Sequence, residues 1–73
     1  MIGKVLGELE LKRSSELCGE YRWIQVRVDG RVCEAVDLAG SGAGDQVLLL
    51  AGEDVRRICM GCPGDLAAVA VLA

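Results

Sequence analysis

The dipeptide Asp29-Gly30 constrains the fold of this chain more than any other feature of its sequence. Both residues tolerate positive φ, and a two-residue turn of this type joins two antiparallel strands in a fixed register. The flanking segments are therefore predicted to form a hairpin whose side chains alternate between an apolar inner face and a second face. The predicted cross-strand pairs are Val28 with Arg31, Val26 with Cys33, and Ile24 with Ala35. The predicted apolar inner face consists of Ile24, Val26, Cys33 and Ala35.

The second face of this hairpin mixes apolar and charged side chains. It carries Trp23, Gln25 and Arg27 opposite Val36, Glu34 and Val32. Such a face is neither a core nor a plainly solvated surface. The pattern therefore favours contact with another subunit.

Three further segments have the patterns of strands. Residues 3–11 alternate, with Val5, Gly7, Leu9 and Leu11 on one face. The continuous apolar run 47–51 predicts a strand buried on both sides, and the apolar segment 66–73 predicts a last strand. The polar segment 12–19 predicts a loop, and 53–60 predicts two short helical turns before Pro63. The five short strands predict an all-β domain spanning residues 1–73, either a small barrel or a strongly curled sheet.

Length and composition suggest that this domain assembles. A chain of 73 residues buries only about 60% of its unfolded surface, so its core is marginal. Apolar residues make up 52% of the chain, yet Phe is absent. This is more apolar surface than one small core hides, which favours subunit interfaces. The alternative is a monomer with a core of Val and Ala.

Charge and hydropathy exclude several partners. The net charge of −3 gives no basic footprint for nucleic acid. Tyr21 and Trp23 are the only aromatic residues, and we expect a packed or interface pair rather than a platform that stacks bases. No apolar run is long enough to span a membrane, and the N-terminus lacks the pattern of a signal peptide. We expect a cytoplasmic protein that binds neither nucleic acid nor membranes.

The glycine-rich segment 40–45 resembles a phosphate-binding loop only superficially. Such a loop requires Lys and Ser or Thr after the glycines, and here Asp45 and a strand follow. We expect Gly40, Gly42 and Gly44 to shape a tight turn, with Asp45 at its end.

The four cysteines raise a metal or redox alternative. Cys59 and Cys62 form a C-x-x-C element, and Cys18 and Cys33 complete a possible set of four thiolates. A zinc ribbon requires a second C-x-x-C pair, which the sequence lacks, so inert thiols remain the simpler interpretation. The absence of histidine excludes Ser-His and Cys-His catalytic pairs. We expect no cofactor and no enzyme activity.

Segments across nearly the whole chain resemble the EutN/CcmL family. In the middle of the chain, the features that resemble the family are, in order, an Ala/Val strand, Asp37, the glycine turn 40–44, Asp45 and a Val-Leu strand. Gly52 and Arg56 fall at the family's Gly-Ser-x-Ala-Arg element. The segment 63–71 is similar to its Pro-x-Asp-x-Ala-Val-Val segment, and Gly3-Lys4-Val5-Leu6-Gly7 to its first strand.

This resemblance implies a five-stranded barrel like the oligonucleotide-binding fold, with one short helix. It also implies homopentamers that cap the vertices of a bacterial microcompartment shell in the cytoplasm, with hexameric shell proteins as partners. The glycine turn then lies near a five-fold axis, and Arg56 and the apolar strands hold subunit contacts. The Cys59–Cys62 pair is not part of the family pattern.

Overall fold

Five strands and one helix make up the described part of the chain, which is residues 1–9, 21–62 and 64–72 of a computed structural model. The elements, in chain order, are β1 (Ile2–Glu8), β2 (Arg22–Val28), β3 (Arg31–Asp37), β4 (Gln46–Ala51), α1 (Glu53–Ile58) and β5 (Leu66–Leu72). Within these described residues, no helix is long and apolar enough to cross a membrane.

The hairpin of β2 and β3 forms in the predicted register. Asp29 has φ 50° and Gly30 has φ 77°, as a turn with positive φ at both central residues requires. Val28 pairs with Arg31 beside the turn, and Trp23 pairs with Val36 one pair before the far end. The pairs between them also match the prediction, so the turn determines the register of both strands.

The strands close into a barrel in the order β1-β2-β3-β5-β4, and β4 returns to pair with β1. All neighbours are antiparallel except β3 and β5, which are parallel. This closure decides between the two predicted architectures in favour of the barrel. Each of the five described strands thus pairs with a neighbour on both sides, although β3 and β5 share only the pairs Val36–Ala67 and Asp37–Ala68.

The interior of the barrel is filled by small aliphatic side chains. The buried residues of this cluster are Val5, Ile24, Val26, Ala35, Val47, Leu49 and Ala68, each at most 1% exposed. Cys33 is half-buried and packs against them, in agreement with its predicted inward orientation. Five strands enclose a narrow space that Val, Ile, Leu and Ala fill without Phe.

A second cluster lies between the barrel and α1. Val36, Val55 and Ala67 are buried there, with Trp23 packed against them. The prediction that this face of the hairpin contacts another subunit is therefore wrong at its Trp23 end, because α1 covers it with Val55. At the opposite end of the hairpin Val32 remains 52% exposed.

Two strand predictions differ from the structure. β4 is not buried on both sides, because Leu48 is 36% exposed whereas Val47 and Leu49 are fully buried. The barrel wall is a single layer here, so alternate side chains of the apolar run face outward. β1 ends at Glu8 rather than Leu11, after a register shift between Val5 and Gly7. The predicted loop 12–19 and Leu11 lie outside the described residues.

Candidate functional site

The turn that follows β3 is organised by the buried carboxylate of Asp37. Its Oδ1 accepts a hydrogen bond from the Ala39 N–H at 3.1 Å, and its Oδ2 accepts one from the Ser41 N–H at 2.9 Å. The Arg22 guanidinium donates to the same carboxylate through Nη1 and also to the carbonyl oxygen of Ser41. A carboxylate that is 1% exposed is thus both paired and hydrogen-bonded.

The far end of the glycine segment is attached to β1. The Asp45 carboxylate accepts the Gly42 N–H at 2.8 Å, and the Asp45 N–H donates to the Gly42 carbonyl at 3.0 Å. The Gly44 N–H donates to the carbonyl of Val5, and the Val5 N–H donates to the carbonyl of Asp45, both at 2.8 Å. The Gly42 amide therefore meets a carboxylate of its own chain where a phosphate loop would present it to an anion.

The three glycines of this turn have different conformational requirements. Gly40 has φ 72° and Gly44 has φ 90°, values that side chains with a Cβ rarely adopt. Gly42 lacks a positive φ, and a Cβ added there would lie 3.8 Å from the Asp45 carboxylate, an ordinary contact. The backbone thus needs glycine at Gly40 and Gly44.

Arg56 lies on α1 and points away from the barrel. Its Nη2 is 3.6 Å from the Asp65 carboxylate, and the two side chains are 65% and 91% exposed. An ion pair this exposed contributes at most about 1 kcal/mol to stability. The guanidinium therefore remains accessible to a neighbouring molecule.

An apolar row crosses the outside of three adjacent strands. Ile2 pairs with Leu48, and Leu48 pairs with Ala70, so their side chains share one face of the sheet. Ile2 is 61% exposed and Leu48 is 36% exposed. The composition indicated surplus apolar surface, and the structure places part of it on this row of Ile2, Leu48 and Ala70.

The cysteines do not gather into one cluster in the described residues. Cys33 packs against the barrel interior, whereas Cys62 packs against the cluster beneath α1. Cys59 and Cys62 are neighbours in the turn after α1, and Cys18 lies outside the described residues. Within the described ranges, no group of three or more Cys, Asp or Glu side chains is arranged to hold a metal ion.

The two aromatic residues pack onto the protein rather than presenting free faces. Tyr21 and Trp23 contact the cluster beneath α1, and the Trp23 ring lies so close to Gly64 that a Cβ there would meet it at 3.2 Å. This packing agrees with the expected aromatic pair. No ligand pocket is found in residues 1–9, 21–62 and 64–72.

Comparison with known proteins yields matches to solved structures only. No family model and no curated protein sequence matches the chain. The EutN protein of Escherichia coli superposes with a TM-score of 0.82 at 23% identity, over 97% of this chain and 82% of that one. This chain has the EutN/CcmL fold.

Two further structures with this fold cover almost the entire chain. GrpN, a pentameric microcompartment shell protein from Rhodospirillum rubrum, matches at 24% identity and a TM-score of 0.82, over 99% of this chain and 92% of GrpN. The pentameric shell protein of the RMM microcompartment matches at 24% identity and a TM-score of 0.85, over 99% and 88%. The EutN/CcmL barrel inferred from the resemblance is therefore confirmed as a fold.

Sequence reasoning missed Arg22 as a structural residue and did not locate the outward row. The signal for Asp37 was present, because an Asp that precedes a Gly/Ser segment often accepts backbone N–H groups of the turn. The signal for Arg22 was also present, because the hairpin register set by Asp29-Gly30 extends to a pair of Arg22 with Asp37 across β2 and β3.

Proposed function

We propose that this protein is a structural subunit of a bacterial microcompartment shell and that its homopentamers cap the vertices of the shell. The observation that carries the proposal is the match to GrpN, which spans 99% of this chain and 92% of that pentameric shell protein. A match of this extent includes every described strand and α1, and so it concerns the whole barrel rather than a shared motif.

The outer surface supports assembly on physical grounds. Ile2 and Leu48 lie side by side on the barrel wall, where water contacts both in a single subunit. Removing such side chains from water is favourable by about 25 cal/mol per Å² of apolar surface. A head-to-tail contact that buries this row against a different face of the next copy generates a ring when the rotation closes.

The glycine turn and Arg56 have proposed positions in this ring. The segment 40–45 is tied down at both ends by Asp37 and Asp45, so it presents a rigid backbone at one end of the barrel. We place this turn toward the five-fold axis, where glycines permit close approach of neighbouring backbones. The exposed guanidinium of Arg56 is placed at a contact between subunits.

The proposed role of the pentamer follows from the geometry of closed shells. A flat hexagonal layer cannot close on itself, and pentagonal units introduce the curvature that turns it into a polyhedron. Hexameric shell proteins of the same microcompartment are the proposed partners, and the bacterial cytoplasm is the proposed location. The role is curvature and closure, with no cofactor and no enzyme activity.

Native mass spectrometry of the purified chain under reducing conditions tests the proposal. We expect a complex of five copies of the 7.7-kDa subunit. Co-expression with hexameric shell proteins should then yield closed polyhedra by electron microscopy, whereas omission of this chain should leave open sheets or tubes. A monomer that persists at high protein concentration would contradict the pentamer.

A further inference from the structure

The segment from Cys59 to Cys62 forms a tight turn after α1. The Cys62 N–H donates to the Cys59 carbonyl at 3.2 Å, and Gly61 has φ 80° at the third position of the turn. A β-turn of this kind keeps its first and fourth Cα atoms within about 7 Å of each other. A disulfide joins Cα atoms that are about 4.4–6.8 Å apart, so the backbone already has the required span.

The thiols of the two cysteines are also neighbours, close enough for Cys59 to influence the ionisation of Cys62. The Tyr21 hydroxyl lies 3.4 Å from the Cys59 sulfur. Formation of a bond between the two sulfur atoms therefore requires only local rotation of the side chains.

Small solutes can reach this pair. Both cysteines are half-buried, and Met60 between them is 90% exposed. Two thiols supply half of the ligands that a tetrahedral zinc site needs, whereas they supply every group that a disulfide needs. The geometry is therefore better suited to dithiol chemistry than to metal binding.

We propose that Cys59 and Cys62 form a reversible dithiol–disulfide couple that exchanges with low-molecular-weight disulfides of the glutathione class. The Cys59 thiolate attacks one sulfur of oxidised glutathione, which breaks the glutathione S–S bond and releases one glutathione thiolate. Cys62 then loses its proton and attacks the Cys59 sulfur of the mixed disulfide, which releases the second glutathione. The protein loses two electrons and two protons, and two molecules of reduced glutathione form.

The order of the two attacks follows from the surroundings of Cys62. Burial raises the pKa of the Cys62 thiol, and the neighbouring Cys59 adds to the increase. The raised pKa leaves Cys62 with a smaller thiolate fraction than an ordinary thiol has, so we assign the first attack to Cys59.

Oxidation would close the first turn of the connection between α1 and β5 with a covalent bond. Cys62 packs against the cluster that contains Val36 and Val55, so the covalent bond forms beside a buried part of the protein. The couple is a chemical property of a single subunit. It does not depend on the proposed pentamer.

The test is redox titration of the full wild-type chain with peptide mapping. The protein is equilibrated with mixtures of reduced and oxidised glutathione, quenched with acid, alkylated and digested with trypsin. Cleavage after Arg57 places Cys59 and Cys62 together on peptide 58–73, while Cys18 and Cys33 lie on other peptides. As the fraction of oxidised glutathione rises, we expect peptide 58–73 to lose two hydrogens and to resist alkylation. When the fraction of oxidised glutathione falls, the peptide should recover both thiols.

Variants separate the couple from general thiol oxidation. Cys62→Ser should leave Cys59 as a stable mixed disulfide with glutathione, because the resolving thiol is gone. The matched control, Cys33→Ser, should leave the titration of peptide 58–73 unchanged. The proposal is overturned if wild-type peptide 58–73 stays doubly alkylated at every ratio, retains glutathione, or is cross-linked to the peptide of Cys18 or Cys33. These outcomes are read on the wild-type chain and do not require any variant to fold.

Discussion

Arg22 and Asp37 lie directly opposite each other where β2 begins and β3 ends, and their side chains form an ion pair across the hairpin. Arg22 also donates to the Ser41 carbonyl, and its Nε is 3.4 Å from the Glu8 carboxylate. One guanidinium thus connects β1, the hairpin and the glycine turn. This connection holds the start of the turn against the barrel, while backbone hydrogen bonds to Val5 hold its end.

Asp37→Asn should destabilise the protein by about 3 kcal/mol, because it removes the negative charge opposite Arg22 and places an amide donor near groups that need acceptors. Chemical denaturation monitored by circular dichroism measures the change. The matched control is Glu34→Gln on the same strand, which alters an exposed carboxylate and should shift stability by less than about 0.5 kcal/mol. Equal effects of the two substitutions would show that the Asp37 network contributes little.

Gly44→Ala should destabilise the protein by about 1–2 kcal/mol, because φ at this position is 90° and a Cβ makes that conformation strained. Gly42→Ala is the matched control, since its Cβ meets only an ordinary contact and its φ is not in the left-handed region. It should cost less than about 0.5 kcal/mol. Denaturation midpoints for the pair measure the difference. Indistinguishable midpoints would show that the turn relaxes to accept a side chain at both positions.

The hairpin shows how far local sequence determines the barrel. Asp29-Gly30 dictates the turn, and the turn dictates every cross-strand pair up to Trp23 and Val36. These are contacts between residues close in sequence, so a single segment contains the whole signal. The start of β5 at Leu66 was similarly recognisable from one apolar segment.

Long-range contacts explain what the sequence did not reveal. Leu48 looks as buried as Leu49 in the run 47–51, and only the single-layered barrel wall distinguishes them. Val36 looks like a surface residue on the mixed face of the hairpin, and it is buried because Val55, Ala67 and Gly64 pack against it. Both outcomes depend on which element covers which face, and that information is distributed over distant parts of the chain.

The reactivity of Cys62 should depend on pH in a direction set by its raised pKa. Burial raises the pKa above the ordinary value of 9.0, so at any pH below that value the thiolate fraction is smaller in the folded protein than in the unfolded chain. Alkylation of Cys62 by iodoacetamide should therefore be slower in the folded protein. The ratio of rates should approach one only when the pH exceeds the pKa of the folded state.

Tandem mass spectrometry of peptide 58–73 distinguishes alkylation at Cys62 from alkylation at Cys59. The same protein unfolded in guanidinium provides the reference rate at each pH. A Cys62 that reacts faster when folded than when unfolded at neutral pH would contradict the raised pKa.

Leu48→Glu tests the proposed subunit contact on the apolar row. Leu48 faces outward from β4, so the barrel of a single subunit should tolerate the carboxylate. In a pentamer that buries the row, each contact would take an unpaired charge out of water, at a cost on the order of 3 kcal/mol. We expect the five-copy complex to dissociate into folded monomers in native mass spectrometry, with an unchanged circular dichroism spectrum.

Val32→Glu is the matched control, because Val32 is 52% exposed on β3, away from the row that β1, β4 and β5 carry. It introduces the same charge in place of another exposed aliphatic side chain and should leave the pentamer intact. If Val32→Glu dissociates the pentamer and Leu48→Glu does not, the subunit contact lies on the hairpin. If the Leu48→Glu protein still forms pentamers, the apolar row is not the interface. Whether the wild-type chain forms a pentamer is decided separately by its own native mass spectrum.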